Sequence, residues 1–242
     1  MTHFILYHCN TSYASQKVRL YLAEMGISWQ GKHIDLRKQA HISSDYRTIN
    51  PNGTVPALYD SKANKLICNS TDIMLYLDQH YVDADKKLSP QWADDVENFC
   101  RSHEKLHDPY LRTLSYHILF MNPDTITAED KQRIMTLAPR HPNKQRGEFL
   151  LRVVKNEIRQ EEIEQAKKAI VDELNHMNRL LQHCASEFLF SDQYTMADAA
   201  ATATLFRVTK INMANAIAKH QALRAYYQNM VKRDNFGLAK MR

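Results

Sequence analysis

The residues best placed to do chemistry fall in one stretch, Asn50 to Ser70. It opens on a turn, Asn50-Pro51-Asn52-Gly53, and continues as Val55-Pro56 at the head of an apolar strand, Ala57-Leu58-Tyr59. A proline there is compatible with a cis bond, which costs only about 0.5–1 kcal/mol at X–Pro. Such a turn would leave the Val55 N–H and C=O free to pair with an extended peptide, as an added strand does. Asn69-Ser70 closes the stretch where an amphipathic pattern begins. A serine at a helix start offers a hydroxyl, free amides and the helix dipole to a carboxylate. The stretch therefore has the parts to hold a small anionic peptide. Taken singly, Pro56 reads as a rigid turn and Ser70 as a helix cap.

A second constellation is His103-Glu104-Lys105-Leu106-His107, which has the HExxH form of a zinc site. Pro109 interrupts the helix just after it, Tyr110 and Thr113 stand where the extended motif has glycine and a third histidine, and with twelve histidines in the chain a chance match is not rare. The expectation is that no metal binds.

Composition sets the frame. The chain has 242 residues, 44% hydrophobic and 24% charged, enough for a sizeable core in one large or two small domains. The net charge of +5 is spread along the chain, so nucleic-acid binding is not expected. Five glycines and no Gly-rich phosphate motif argue against a nucleotide loop. No apolar run approaches a membrane span, and the N-terminal residues read as a strand with no secretory leader. Cys9, Cys68, Cys100 and Cys184 form no CxxC pair, which fits reduced thiols in a cytoplasm.

The elements that must position these residues follow from hydrophobic period. Phe4 to Tyr7 reads as a buried strand, Tyr13 to Met25 as a helix ended by Gly26, and Trp29 to Leu36 as a second strand. A short helix within 41–49, strands at 57–59 and 65–68, and a helix from Asn69 or Ser70 to about Tyr81 complete a β-α-β-α-β-β-α layer. Residues 83–90 read as a linker. No convincing strand follows Pro90. Helical spacing runs from Gln91 to about Phe120, over 161–184 and over 221–232. A very apolar helix, Ala199 to Val208, follows the capping box Thr195 to Asp198. Residues 122–148 carry Pro123, Pro139 and Pro142 and read as an irregular connection, with a short helix from Phe149 to Ile158. The expected architecture is α/β at 1–82 and all-α at 91–242, with an insertion at about 122–160.

This order, with Val55-Pro56, Asn69-Ser70 and the Thr195 to Asp198 box, resembles the cytosolic glutathione S-transferase family over nearly the whole chain. Ser15-Gln16-Lys17-Val18-Arg19-Leu20, Ala23-Glu24 and the 226–233 segment look similar to the ganglioside-induced differentiation-associated protein 1 branch. The Ser12 region and Asn69-Ser70 resemble the tetrachlorohydroquinone dehalogenase type. The resemblance implies a thioredoxin-like first domain, glutathione as co-substrate, a homodimer, and conjugation of a hydrophobic electrophile in a detoxifying role. It implies Val55, Pro56, Asn69 and Ser70 as glutathione contacts and His41 as the partner of the glycine carboxylate. Asn69 departs from the acid that many members carry there.

The thiolate is the reactive form of a thiol. Counting back from Arg19, Ser12 matches the catalytic serine of the theta and zeta types. The same count puts His8, not Tyr7, at the tyrosine position of other classes, and a one-residue shift in a strand reverses the face. Cys9 is the alternative, through a mixed disulfide, against its plainer reading as a small buried apolar residue. Ala14 stands where the dehalogenase type has its reactive cysteine. Tyr110, Leu111, Tyr116 and Phe120 are the expected walls of the second-substrate pocket. A weakly catalytic glutathione binder and a Cys9-dependent lyase or oxidoreductase remain open beside the transferase.

Overall fold

Phe4–His8 is β1, with Phe4 and Leu6 fully enclosed on one face. In the computed structural model, which describes residues 2–121, 126–184 and 186–241, β1 lies inside a four-stranded sheet of order β2-β1-β3-β4. Its parallel neighbour β2 is Gln30–His33, shorter than the expected 29–36 and exposed throughout, as an edge strand tolerates. On its other side β3 (Ala57–Asp60) and β4 (Lys65–Cys68) run antiparallel, with Tyr7 opposite Ala57.

Two helices flank the sheet. Tyr13–Glu24 (α1) begins at Ser12, whose side chain caps the Ser15 amide, and ends before Gly26 at φ +68°. Ser70–Tyr81 (α3) is capped by Asn69. Between them lies the short α2 (Ser44–Ile49), capped by Ser43. This is the β-α-β-α-β-β-α order anticipated from hydrophobic period.

Among the described residues after Pro90 there are helices only. Ala93–Leu106 (α4) loses α geometry at Asp108 (φ −116°, ψ 105°), where Asp108–Pro109 is cis like Val55–Pro56. Wide turns at His107–Leu111 and Tyr116–Phe120 flank the single turn of α5 (Arg112–Ser115). The expected irregular connection over 122–148 is corrected. It contains α6 (Ala128–Leu137), opened by a full capping box between Thr127 and Asp130, and most of α7 (Lys144–Val154), capped by Asn143. That α7 also replaces the short helix expected at 149–158. Pro139 sits in a tight turn between the two helices, Pro142 just ahead of α7, and Pro123 lies outside the described residues.

The long α8 (Gln160–His183) buries Ile163, Ala166, Ile170, Leu174 and Met177 at three- to four-residue spacing. Met196–Lys210 (α9) is buried on all sides from Met196 to Val208 and packs on α1 and α4, so it is the central helix. Ala214–Ala218 (α10), Gln221–Lys232 (α11) and Asp234–Leu238 (α12) complete the chain. One continuous apolar cluster joins sheet and helices, and a small separate one holds Ile126, Ile134, Ala138 and Leu150 of the α6–α7 pair. Among the described residues no helix is long and apolar enough to cross a membrane.

Asp198 knots this arrangement. Its buried carboxylate accepts from the Thr195 amide (2.8 Å), the Thr195 hydroxyl (3.0 Å), the Leu189 amide (3.0 Å) and the Tyr226 hydroxyl (2.9 Å). Asp198→Ala strips four donors of their acceptor inside the core. It is expected to cost about 3 kcal/mol or more in urea unfolding, since each buried donor left unpaired costs about 1–3 kcal/mol. A loss under about 1 kcal/mol would show that solvent or a neighbouring group replaces the carboxylate.

Candidate active site

The turn before β3 is held from inside. Asn50 is fully buried, donates from Nδ2 to the Thr54 carbonyl (2.7 Å) and accepts from the Asn52 amide (3.1 Å). The Tyr46 hydroxyl reaches the same carbonyl at 2.7 Å. Gly53 has φ +58°, and a Cβ there would stand 3.2 Å from the His41 carbonyl and from the Pro142 ring. Only glycine fits both the conformation and the space. So fixed, Val55 and Pro56 line a cavity of about 720 Å³ between the sheet layer and the helices.

Asn69 and Ser70 reach the same cavity from the start of α3. Asn69 (φ +96°) spends its Oδ1 on the Thr71 and Asp72 amides (2.8 and 3.3 Å). Asn69 is therefore the cap, with only its NH2 left to donate. Ser70, the first residue of α3, is 3% exposed.

Ser12 stands on the opposite lip. Its Oγ accepts from the Ser15 amide at 3.3 Å, which leaves the O–H free to donate into the cavity. The preceding loop is tied down carbonyl by carbonyl. The Cys9 and Asn10 carbonyls accept from Arg19 (3.1 and 3.0 Å), Asn10 also from Gln16 (3.3 Å), and Thr11 from Arg207. Cys9 is buried on the same wall, with its Sγ 3.5 Å from the Thr11 hydroxyl. Ala14 lines the cavity as well. Tyr7 is half-buried beside Tyr46 and stands off the cavity wall, while His8 faces Arg19 and Trp29.

His41 is on the cavity wall in edge contact with His141, ring centroids 5.9 Å apart. The wall formed by the helices carries Tyr116, Phe120, Phe149, Ile134 and Leu150. Two of the expected pocket residues are corrected. Leu111 is fully enclosed in the core and Tyr110 packs against it, because the break at Asp108 re-phases the helix that follows. The HExxH pair is also split. His103 is fully buried with Nδ1 on the Phe99 carbonyl and Nε2 3.6 Å from Glu173, whereas His107 stacks on Tyr13 in the cavity wall.

Sequence reasoning passed over Arg112, Arg146 and Arg207, which all reach the cavity; Glu104, weighed there only as part of the HExxH match, lines the cavity and accepts from the Thr71 hydroxyl beside the start of α3. The capping signatures Thr127-x-x-Asp130 and Asn143 would have exposed α6 and α7, and with them Arg146.

The comparisons agree with this architecture. The family model described as Glutathione S-transferase, N-terminal domain, matches residues 6–85, and the one described as Glutathione S-transferase, C-terminal domain, matches residues 160–229. The chain belongs to the glutathione S-transferase family, and it is a glutathione transferase or a related enzyme. It is 26% identical to the tetrachloro-p-hydroquinone reductive dehalogenase of Sphingobium chlorophenolicum, over 100% of this chain and 97% of that one. It is 36% identical to glutathione S-transferase 2 of Schizosaccharomyces pombe, over 39% of this chain and 41% of that one. Among solved structures, the beta-etherase LigF of Sphingobium sp. strain SYK-6 superposes with a TM-score of 0.78 at 19% identity, covering 98% of both chains. Gtt2 of Saccharomyces cerevisiae gives 0.67 at 20% identity, covering 97% of this chain and 99% of that one. At these identities the superpositions speak for the fold.

Three imidazoles at or beside the site, those of His8, His41 and His141, are held neutral. Burial, reinforced by Arg19 for His8, by His141 and Arg146 for His41 and by Arg146 for His141, lowers each pKa to about 4. In the unfolded chain these groups take up protons first as pH falls. The stability they contribute is whole above about 6.5 and is lost as pH falls towards about 4. In the ligand-free protein the ring nitrogens of all three are expected to keep neutral-tautomer 15N shifts at about pH 5.5, where a free imidazole is charged. Imidazolium shifts at that pH would refute the burial assigned to them.

Proposed function

We propose that the protein joins the sulfur of glutathione to an electrophilic small molecule. The observation that carries this reading is one cavity whose sheet side presents Ser12, Val55, Pro56 and Ser70 and whose helix side presents Tyr116 and Phe120. In this reading the Val55 peptide groups, which make no hydrogen bond of their own among the described residues, pair with the cysteinyl backbone of the tripeptide. Ser70 and the start of α3 take the γ-glutamyl carboxylate, with the Asn69 NH2 as a second donor. Glu104 supplies the negative charge for the ammonium group that Asn69 does not. His41 faces the glycine carboxylate. Ser12 donates its O–H to the sulfur, favouring thiolate over thiol. The thiol proton leaves to solvent, the sulfur pair forms the new bond, and a leaving group departs with its own pair.

Homodimerisation, a cytoplasmic setting and a detoxifying role belong to this proposal. All four cysteines are free, which supports a reducing compartment. Cys9 keeps a second reading alive, because its Sγ is on the wall that carries Ser12. There its thiolate would attack the sulfur of a glutathione conjugate or of glutathione disulfide, forming a mixed disulfide as the group on that sulfur leaves with the bond pair, the first step of a lyase or oxidoreductase.

Turnover of glutathione with 1-chloro-2,4-dinitrobenzene separates these readings. Ser12→Ala is expected to lower kcat by roughly 100-fold, the scale of losing one donor to a developing anion, with the KM for glutathione little changed. Ser12→Thr, which keeps both hydroxyl and cap, is expected to restore most of it. Cys9→Ser should leave the rate within about twofold, a difference under about 0.5 kcal/mol. The opposite pattern, Cys9→Ser inactive and Ser12→Ala active, would move the chemistry to the thiol. Retention on immobilised glutathione without turnover would make the protein a binder.

A further inference from the structure

The helix side of the cavity is not simply apolar. Arg112, Arg146 and Arg207 all reach it, and so do two carboxylates, that of Asp108 between Arg112 and Arg146 and that of Glu104. Arg112 grips Asp108 through both terminal nitrogens, one of them at 2.7 Å, while Arg146 stands 3.4 Å from it. Arg207, on α9, is 4% exposed and spends its terminal NH2 on the Thr11 carbonyl and the Gln16 side chain, both neutral. Among the described residues, three positive charges against the two carboxylates of Asp108 and Glu104 leave this wall with a net charge of +1. Among the described residues, the Nε–H of each of the three is enclosed without an acceptor. A buried donor left unpaired is a standing cost, and an arriving anion that lets these forks turn relieves it.

Two of these guanidinium groups lie against aromatic rings. The Arg112 carbon is 4.7 Å from the Phe149 ring centroid and the Arg207 carbon 5.6 Å from that of Phe120. The terminal nitrogens of Arg112 are held by Asp108, so an arriving carboxylate would share that fork or displace Asp108 from it, with Arg146 alongside. Tyr116, Ile134 and Leu150 add apolar surface to the same wall, suited to a flat carbon skeleton.

We propose that the acceptor substrate is an organic anion, an aromatic or conjugated electrophile bearing a carboxylate that sits on Arg112 and Arg146 while its ring packs against Phe120, Phe149 and Tyr116. This rests on the transferase reading only in taking the helix side of the cavity as the acceptor site. The tripeptide is a rival source of the same carboxylate chemistry, since Arg146 is near His41. The test has to tell the two apart.

The measurement is calorimetric binding of 3,5-dinitrobenzoate and of its neutral isostere 3,5-dinitrobenzamide, with and without saturating S-methylglutathione. The benzoate is expected to bind at least about tenfold tighter than the amide with the peptide analogue present, as a charge-assisted bidentate pair gives. That ratio should shrink as salt is raised and fall severalfold in Arg112→Gln and in Arg146→Gln. Comparing two ligands on one variant cancels any loss of folded protein. Equal affinities for acid and amide would overturn the proposal, as would a preference unchanged in both variants. A preference that disappears when S-methylglutathione is bound, with weaker binding of that analogue to Arg146→Gln, would assign the arginines to the tripeptide instead. Turnover of 4-chloro-3,5-dinitrobenzoate, the acid that the arginines favour, reports on the transferase reading separately. No turnover with the binding ratio intact would sink that reading and leave the arginines as a binding site for organic anions only.

Discussion

The site depends on a loop that regular structure does not hold. Between the end of β1 and the start of α1, the carbonyls of Cys9, Asn10 and Thr11 point where buried cations take them up. Arg19 is fully enclosed, and besides two of these carbonyls it donates to the Ala239 carbonyl at 2.8 Å and the Lys240 carbonyl at 3.4 Å, just beyond α12. Arg207 reaches the third carbonyl from the central helix. Burial lowers both guanidinium groups to about 10, so both stay charged at neutral pH. Desolvating a charge is expensive, and here neutral carbonyl dipoles from two distant parts of the chain make up the deficit. The direction in which Ser12 presents its hydroxyl is thereby set by α9 and by the segment after α12 as much as by the sheet.

The same coupling recurs across the cavity. The turn that presents Val55 is rigid because Asn50 and Tyr46 converge on the Thr54 carbonyl, yet its Gly53 packs directly on Pro142, one residue before the cap of α7. The α6–α7 pair has its own small apolar cluster, and Gly147 lets α7 approach the Ala138 carbonyl more closely than any side chain would permit. The sheet-side turn is thus packed on the segment leading into α7 through Gly53 and the Pro142 ring.

What could be read without coordinates was what local periodicity carries. Alternating burial marks β1, three- to four-residue spacing marks α8, and cap residues mark α1, α3 and α9, so the layer order and the sheet side of the site were legible. The helix side was not. Three prolines in a charged stretch looked like loop, but Pro139 falls in a turn and Pro142 just ahead of a cap, positions where proline interrupts no helix. The phase of the 91–120 segment could not be carried past Asp108, and that moved Leu111 inward while Tyr116 and Phe120 kept the cavity. Charged side chains gave no sign of their direction at all. Arg112, Arg146 and Arg207 look in sequence like ordinary surface cations, and only tertiary packing turns them inward.

Asn69 shows how a local demand can override a chemical one. Its backbone has φ +96° and ψ 133°, outside the left-handed helical well and adopted at a cost by any residue with a side chain, and α3 needs a cap there. Asparagine supplies the cap, but its oxygen is then committed to the Thr71 and Asp72 amides. An aspartate would cap equally well and keep a charge for a ligand's ammonium group. The neighbouring Thr71 hydroxyl instead binds Glu104 of α4, which brings a carboxylate to the cavity from the helical side. Under the proposed function, the negative charge that a cap aspartate would provide is displaced by one helix, and recognition of the tripeptide then requires α3 and α4 to stay in register with each other.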